Sequence, residues 1–284
     1  MVRLVSYVVL KRKTGDRIVT MKRTLIEKIE APLTRELERF VSGARIFDSS
    51  CSPEARVYFI DRDGGYYLKL AAAGSLEAEN KMTRYFHSKG LGAEVLDYAT
   101  LEGRDVLLTS RIVGEDCTHA QYLEDPKRLC ELTATKLREL HELSAHDCPV
   151  KDLMGGYVKR AEDNYFSGNY DKSHFPDSFG YESGESAYKA LCEGKASLVN
   201  EVLLHGDYCL PNIMLDDWRF SGFIDVGGGG IGDRHVDLFW GAWTLLFNLG
   251  TDEYRERFFD AYGRDKVDEQ KIKTAAALAV LEAC

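Results

Sequence analysis

Several features that define large protein classes are missing from this sequence. No apolar run approaches the roughly 20 residues a membrane-spanning helix needs; runs such as residues 4–10 and 275–281 are far shorter. The first of these precedes the cluster Lys11-Arg12-Lys13, the reverse of a secretory signal, and no small-residue cleavage site follows. There is no basic surplus either. Lys and Arg total 37 against 46 Asp and Glu, a net charge of -9, so no cationic stripe is available for nucleic-acid phosphates. The seven cysteines are scattered and form no C-x-x-C pair, which argues against a disulfide framework or a zinc site and makes a reducing cytoplasm the expected compartment. G-x-x-x-x-G-K-[ST] does not occur, so a P-loop reading lacks its core evidence. Internal repeats, low-complexity tracts and H-E-x-x-H spacings are absent as well.

What is present is ordinary globular material: 44% hydrophobic and 29% charged residues in a chain of 284, long enough for one large domain or two modest lobes. Residues 32–42 have helical spacing. Residues 55–60 and 65–70 read as strands joined by an acid-Gly turn, 76–89 as a helix ended by Gly90 and Gly92, and 95–98 with 105–110 as a second strand pair. Beyond residue 112 the period becomes helical. Residues 126–143 form a strongly amphipathic helix, 155–188 mix helix with an irregular insertion, and 237–249, 252–262 and 268–284 read as helices. The expected division is therefore an N-terminal antiparallel lobe, residues 1–111, and a mainly helical lobe, residues 112–284, with residues 1–20 a strand hairpin or an extension.

The chemistry concentrates in residues 205–227, where His205-Gly206-Asp207 is followed by Asn212 and, after a short turn, by Ile224-Asp225-Val226-Gly227. In phosphoryl transfer an Asp orients the attacking hydroxyl, and positioning and charge neutralisation dominate over base strength. Asp207 suits that task; the plainer reading is an Asp capping a turn. Asn212 and Asp225, on either side of the turn at 216–219, offer the one amide and one carboxylate that magnesium takes alongside phosphate and water. The alternative for these two is a hairpin with polar ends. Lys69 interrupts the apolar strand Tyr66-Tyr67-Leu68-Lys69-Leu70, where a lysine needs a partner. Glu79 on the next helix is the expected one, with Glu77 the alternative. The small-residue loop carrying Ser49, Ser50 and Ser52 is placed over phosphates, its hydroxyls and N–H groups standing in for glycines. The run Gly227-Gly228-Gly229-Gly230 is not followed by Lys-Ser/Thr and is expected to be a flexible segment. His205 is expected to brace the loop, and Cys209 to be a small buried filler.

With H-G-D-x-x-x-x-N, I-D-x-G, Asp233-Arg234 ahead of Asp237, Leu68-Lys69, Glu79 and Leu140-His141-Glu142-Leu143 together, the chain from about residue 33 onward resembles the aminoglycoside phosphotransferases, most closely the 3'-phosphotransferases. The resemblance implies an α+β, bilobal protein-kinase-like fold: an antiparallel sheet lobe with one key helix, and a mainly helical second lobe. It further implies Mg2+ and ATP or GTP as phosphate donor. Asp207 would be catalytic, Asn212 and Asp225 would hold the metal, and Lys69 with Glu79 would position the phosphates. The base would lie against residues 109–112, which include Ser110 and Ile112. The acceptor would be a cationic small molecule, an aminoglycoside antibiotic inactivated by phosphorylation, held by acidic groups at Asp177, Glu282 and the terminal carboxylate of Cys284. This sequence departs from the family pattern at the diluted acidic run of residues 174–178, at Gly228, at Trp243, Phe247 and Asn248, and at Leu281. The rival readings are a kinase for another small hydroxyl compound, which Trp243 and Phe247 favour, and a non-catalytic nucleotide-binding scaffold.

Overall fold

The computed structural model describes residues 23–50, 54–170 and 180–282, so the expectations for residues 1–20 lie outside the described part. The chain clusters into two compact units. One takes the chain up to His119 together with Met214–Gly227; the other takes Ala120–Ile213 and everything from Gly228 onward.

The first unit is built on a sheet of β1 (Thr24–Ile26), β2 (Arg45–Asp48), β3 (Ala55–Asp61), β4 (Tyr66–Ala72), β5 (Val95–Leu101) and β6 (Arg104–Ser110), in the order β1-β2-β3-β4-β6-β5, every neighbouring pair antiparallel. Side chains alternate across such strands. Leu68 and Leu70 of β4 therefore join Ile46, Tyr58, Ile60, Val106 and Leu108 on one face, where Leu37 of α1 (Arg35–Val41) closes a core. Thr34 caps α1 by accepting from the Leu37 N–H at 3.1 Å. Truncating fully buried Leu68 to Ala would cost about 2 to 5 kcal/mol through the cavity left behind.

Lys69 lies between those two leucines in sequence and so belongs to the opposite face, directly across from Leu107 in the β4–β6 register. Leu107 packs with Leu76 and Val95, and Leu76 opens α2 (Glu77–Ser88). Buried Asp105 holds that helix start by accepting from the Leu76 N–H at 3.0 Å, and it also accepts from the Thr100 hydroxyl at 2.7 Å and the Tyr98 hydroxyl at 3.1 Å. The apolar contact of Leu107 thus sets the first turn of α2, and with it Glu79, over the lysine's face.

A small sheet in the order β10-β9-β7 continues this unit: β7 (Glu115–Asp116), β9 (Ile213–Asp216) and β10 (Arg219–Phe223). The β9–β10 turn has Asp217 and Trp218 both at positive φ, 47° and 65°, the two-residue geometry whose twist matches paired strands. The Phe223 N–H donates to the Leu91 carbonyl at 2.7 Å, and its ring meets Phe86 of α2 edge-on. The strand end that leads into Asp225 is thereby tied to α2.

The second unit is helical: α3 (Ala120–Leu123), α4 (Pro126–Glu142), α5 (Leu153–Ser167), α6 (Gly184–Gly194), α7 (His235–Leu249), α8 (Arg255–Tyr262) and α9 (Glu269–Glu282), with the short pair β8 (Val202–Leu204) and β11 (Gly230–Gly232). Pro126 begins α4 where its missing N–H costs nothing, and Asp125 caps the helix through the Arg128 N–H. Helices α7 and α9 are buried almost all round, as helices without a polar face must be. Among the described residues no helix is long and apolar enough to cross a membrane.

The antiparallel sheet, the inserted α2 and the helical remainder agree with the expected fold class. Strands β1 and β2 were not anticipated, because Arg45-Ile46-Phe47-Asp48 is too short and too polar to announce itself. The glycine run is a correction. It is not a flexible segment: Val226–Gly228 form a 3-10 turn and Gly230–Gly232 are a strand paired with Val202–Leu204. Glycine is needed there for close backbone approach, not for mobility.

Candidate active site

In the first unit the Lys69 ammonium stands 2.8 Å from Oε2 and 2.9 Å from Oε1 of Glu79, and 3.0 Å from Oδ1 of Asp225. Glu79 is the partner; Glu77 instead pairs with Lys81 on the exposed side of α2. Burial by itself would drive the proton from Lys69. The charges of Asp225 and Glu79 more than reverse this, so its pKa is raised and it stays an ammonium. Burial raises the Glu79 carboxyl, with Lys69 opposing and Asp225 adding to the rise, because two carboxylates share one cation. Asp225 itself adopts a left-handed backbone, φ 54°, sparsely populated for a residue with a side chain. Such strain is held where the surroundings dictate the geometry, here by the anchored end of β10 and by Gly227, where an added Cβ would meet the Cβ of Glu79 at 3.1 Å.

The serine loop lies beside this trio in the sheet. The Ser49 N–H donates to the Val57 carbonyl at 2.8 Å, and the Ser50 hydroxyl accepts from the Val57 N–H at 3.0 Å. Val57 is the β3 residue across from Lys69. The Ser50 N–H also bonds Asp48, which with the Ser50 hydroxyl holds that carboxyl below its ordinary range. Ser52 lies outside the described residues. Ser110 ends β6, its hydroxyl accepting from the Glu94 N–H at 2.9 Å. Ile112 packs over Gly222 of β10.

In the second unit, β8 delivers His205, Gly206 and Asp207 into a buried loop. Gly206 has φ +86°, and a Cβ there would meet the Gly228 carbonyl oxygen at 2.0 Å, so only glycine lets these two backbones touch. The Asn212 side-chain amide donates to the Asp207 carbonyl at 2.9 Å and to its carboxylate Oδ2 at 2.9 Å. Asp237 of α7 accepts from the His205 N–H at 2.7 Å and the Gly206 N–H at 2.9 Å, and the Thr244 hydroxyl accepts from the Leu210 N–H at 3.1 Å. His205 receives the Asp207 N–H on Nδ1 at 3.3 Å, a bracing contact. The Tyr157 hydroxyl donates to the Gly228 carbonyl at 2.8 Å, and Cys209 is buried in the same loop.

Sequence reasoning assigns no role to Asp237 or Tyr157: Asp237 enters it only through the Asp233-Arg234 pattern ahead of it, and Tyr157 carries no local signal. The donor chemistry of Asn212 and Asp225 suits magnesium. Asn212 has both amide bonds committed to Asp207 and so offers its oxygen, and Asp225 offers a carboxylate. Among the described residues no group of three or more His, Cys, Asp or Glu could hold a metal ion.

Of the acceptor residues, Asp177 and Cys284 lie outside the described residues. Glu282 is buried at the end of α9, its Oε1 2.9 Å from Nε of Arg160 on α5. Burial pushes its carboxyl up to about 8 against the opposing pull of Arg160. The Arg160 guanidinium covers the Tyr157 ring at 4.8 Å. On α7, Trp243 and Phe247 stack with centroids 5.1 Å apart, and Asn248 bonds back to Thr244.

Residues 45–273 match the model of the phosphotransferase enzyme family. The chain is 50% identical over 237 residues to a protein of Lactococcus lactis subsp. lactis (strain IL1403) called probable aminoglycoside 3'-phosphotransferase, covering 84% of this chain and 90% of that one. It is 31% identical over 209 residues to streptomycin 3''-kinase of Streptomyces griseus, covering 68% and 74%. The crystal structure of an aminoglycoside-3'-phosphotransferase of type VIII matches with a TM-score of 0.68 at 25% identity, over 87% of this chain and 97% of that one.

Proposed function

We propose, from the premise that the chain belongs to the phosphotransferase enzyme family and within it to the aminoglycoside phosphotransferases, that it moves the γ-phosphate of ATP or GTP onto a hydroxyl of an aminoglycoside and so inactivates the drug. Phosphoryl transfer from a nucleotide to an alcohol follows from membership. The acceptor and the duties of individual residues are what is proposed. The observation that carries the phosphate-handling duties is the half-buried ammonium of Lys69, held between Glu79 and Asp225; the acceptor class draws on the aminoglycoside relative.

Lys69 presents its charge to the α- and β-phosphates and Glu79 fixes its direction. The serine loop covers the phosphates with Ser49, Ser50 and Ser52, and the base rests against Ser110 and Ile112. Asp207 accepts the hydrogen bond of the acceptor hydroxyl and aims its oxygen in line with the γ-phosphorus. The new O–P bond forms as the bond to the β,γ-bridging oxygen breaks, ADP or GDP departs, and the hydroxyl proton passes to Asp207 and then to water. Asn212 locks Asp207 through its amide. A magnesium ion on the Asn212 oxygen and the Asp225 carboxylate would neutralise charge on the phosphates. Acidic groups at Asp177 and, once ionised, Glu282 attract the acceptor's ammonium groups. Residues 1–111 act as the nucleotide-binding lobe and 112–284 as the catalytic lobe, with Met214–Gly227 clustering with the former. The proposed compartment is the cytoplasm, where nucleoside triphosphates are supplied.

A second reading, a kinase for a different small hydroxyl compound, draws on the Trp243–Phe247 stack, since Phe247 is 39% exposed. A coupled ADP- or GDP-release assay over aminoglycosides, macrolides and small alcohols separates the two. Turnover with an aminoglycoside is expected; turnover only with uncharged alcohols would replace the first reading by the second. Asp207→Ala must lose turnover by orders of magnitude while keeping its fold, or the catalytic assignment fails.

A further inference from the structure

Behind the Asp207 loop runs a buried chain of hydrogen bonds that joins four elements of the second unit. The Arg234 guanidinium, paired through Nε with Glu201 at 2.6 Å, reaches the Tyr262 hydroxyl with NH1 at 3.2 Å. That hydroxyl lies 2.8 Å from Nδ1 of His141, whose Nε2 lies 3.3 Å from Oδ2 of Asp237. Asp237 in turn takes the backbone N–H groups of His205 and Gly206. His141, Tyr262 and Asp237 are all buried, so water is a poor substitute for any missing partner.

The ends of the chain settle its direction. Arginine has only hydrogens to give and a carboxylate only lone pairs. Tyr262, already receiving from Arg234, gives its own hydrogen to Nδ1 of His141. His141 therefore carries its hydrogen on Nε2 and gives it to Asp237. Every hydrogen from Arg234 through His141 points toward Asp237, which also accepts the loop's two N–H groups, and no link can reverse without leaving a buried group unsatisfied.

We propose that His141 is a positioning residue for phosphoryl transfer: as the neutral Nε2–H tautomer imposed by Tyr262 and Arg234, it holds Asp237 in the pose that clamps the His205–Gly206 backbone and thereby aims Asp207. Adding a proton at Nδ1 would place two hydrogens between His141 and Tyr262 and break the chain at its centre. Burial already disfavours that proton, against the pull of Asp237. The charged or titratable groups around the imidazole are Asp237 on α7, Arg234 ahead of it, Tyr262 on α8, Glu201 ahead of β8, and Arg138 with Glu142 on its own helix. Arg138 is turned away, giving NH1 to the Tyr262 carbonyl at 3.0 Å and its Nε to Glu142.

The inference rests on the reading that Asp207 orients the acceptor hydroxyl, so its test has one arm that needs no turnover. Tyr262→Phe keeps the ring and removes the hydrogen that occupies Nδ1. The expected result is kcat lower by about tenfold, equivalent to one lost buried hydrogen bond, with both KM values within twofold and the acid limb of the kcat profile moved upward by at least half a pH unit. His141→Leu should lose more. His141→Gln, whose amide can still donate to Asp237, should recover part of the loss. In hydrogen–deuterium exchange, the peptide spanning residues 204–208 should lose protection in Tyr262→Phe and His141→Leu relative to the β3–β4 hairpin. Unchanged kcat, acid limb and exchange in a folded Tyr262→Phe protein would overturn the proposal. If neither variant folds, the wild-type enzyme decides: protection of residues 204–208 must fall below that of the hairpin as pH is lowered from 8 to 5, and parallel behaviour would overturn it. Altered exchange with no turnover of any acceptor would instead leave the relay standing and remove the catalytic reading of Asp207.

Discussion

The contact between Gly206 and Gly228 allows a prediction whose size follows from geometry. A methyl group on Gly206 would sit 2.0 Å from the Gly228 carbonyl oxygen and 2.3 Å from its carbon. Both atoms are backbone, so no side chain can swing away, and the two segments must part by more than an ångström. Two penalties combine. Alanine at φ +86° costs about 1 kcal/mol, and forcing a methyl into a filled space adds about 1 to 3 kcal/mol. Gly206→Ala should therefore lose about 2 to 4 kcal/mol of stability in urea denaturation. The control is Gly103→Ala in the β5–β6 turn, where φ is +79° but nothing lies within 4 Å; it should lose only about 1 kcal/mol. Function should separate the two further. Gly206 adjoins Asp207, so an ångström of displacement misaims the carboxylate and should lower kcat by roughly a hundredfold, while Gly103→Ala keeps wild-type kcat. Equal stability losses in the two variants, or full activity in folded Gly206→Ala, would refute the argument that this backbone contact positions the catalytic group.

Three other substitutions test the electrostatics. Lys69→Met removes the ammonium that Glu79 and Asp225 share and should abolish turnover. Its stability deficit should be larger at pH 8 than at pH 5, because Glu79, already raised by burial, can take up a proton as pH falls; a deficit independent of pH would contradict the shared-cation geometry. Glu282 has its folded pKa raised from 4.5 to about 8, so its contribution to stability is fully present below about 4.5 and is lost as pH rises through about 8. Glu282→Gln should accordingly gain on the wild type in thermal denaturation at pH 9. If Glu282 binds the acceptor, KM for the drug should fall as the wild type is taken up through pH 8, and the Gln variant should show no such step. Asp105→Ala leaves the Leu76 N–H and the Thr100 and Tyr98 hydroxyls without their common acceptor. It should cost about 3 kcal/mol and weaken nucleotide binding through α2, measurable as a raised KM for ATP alongside a lowered urea midpoint.

How much of this was legible in the sequence depends on the distance along the chain over which each group finds its partner. Lys69 announced itself because a lysine inside an apolar strand needs a counter-charge, and α2 offered two glutamates within ten residues. Structure decided between them by seating Leu76 on Leu107, which turns Glu79 inward and leaves Glu77 to Lys81. Asp207 and Asn212 were visible because their five-residue spacing lets one side chain bond the other. The supports of that loop were not. Asp237 acts 31 and 32 residues away in sequence, and His141 meets Tyr262 across 121; no local periodicity encodes such pairings. The glycine run misled for a related reason. Glycine marks both mobility and tight contact, and only the backbone of Gly206 against Gly228 says which applies.

The same distinction separates the two halves of the proposed reaction. Nucleotide handling needs a few charged groups at short, fixed spacings, because phosphate is the same in every donor, and those spacings survive in a sequence as motifs. Acceptor choice needs a surface shaped to one molecule, assembled from helix ends far apart in the chain. Glu282 shows what this entails. At the end of α9, an acid beside the terminus would read as a ready ligand for an ammonium group, yet the fold buries it and gives it Arg160 from α5, 122 residues earlier. An acceptor cation that binds there must draw the carboxylate away from a guanidinium already in place, or share it. The strength of acceptor binding at that point is therefore a difference between two cations competing for one acid, and Arg160→Met should raise affinity for a multiply charged acceptor more than for a singly charged one. Equal changes across a panel of acceptors graded by charge would show that Glu282 serves the fold and not the acceptor.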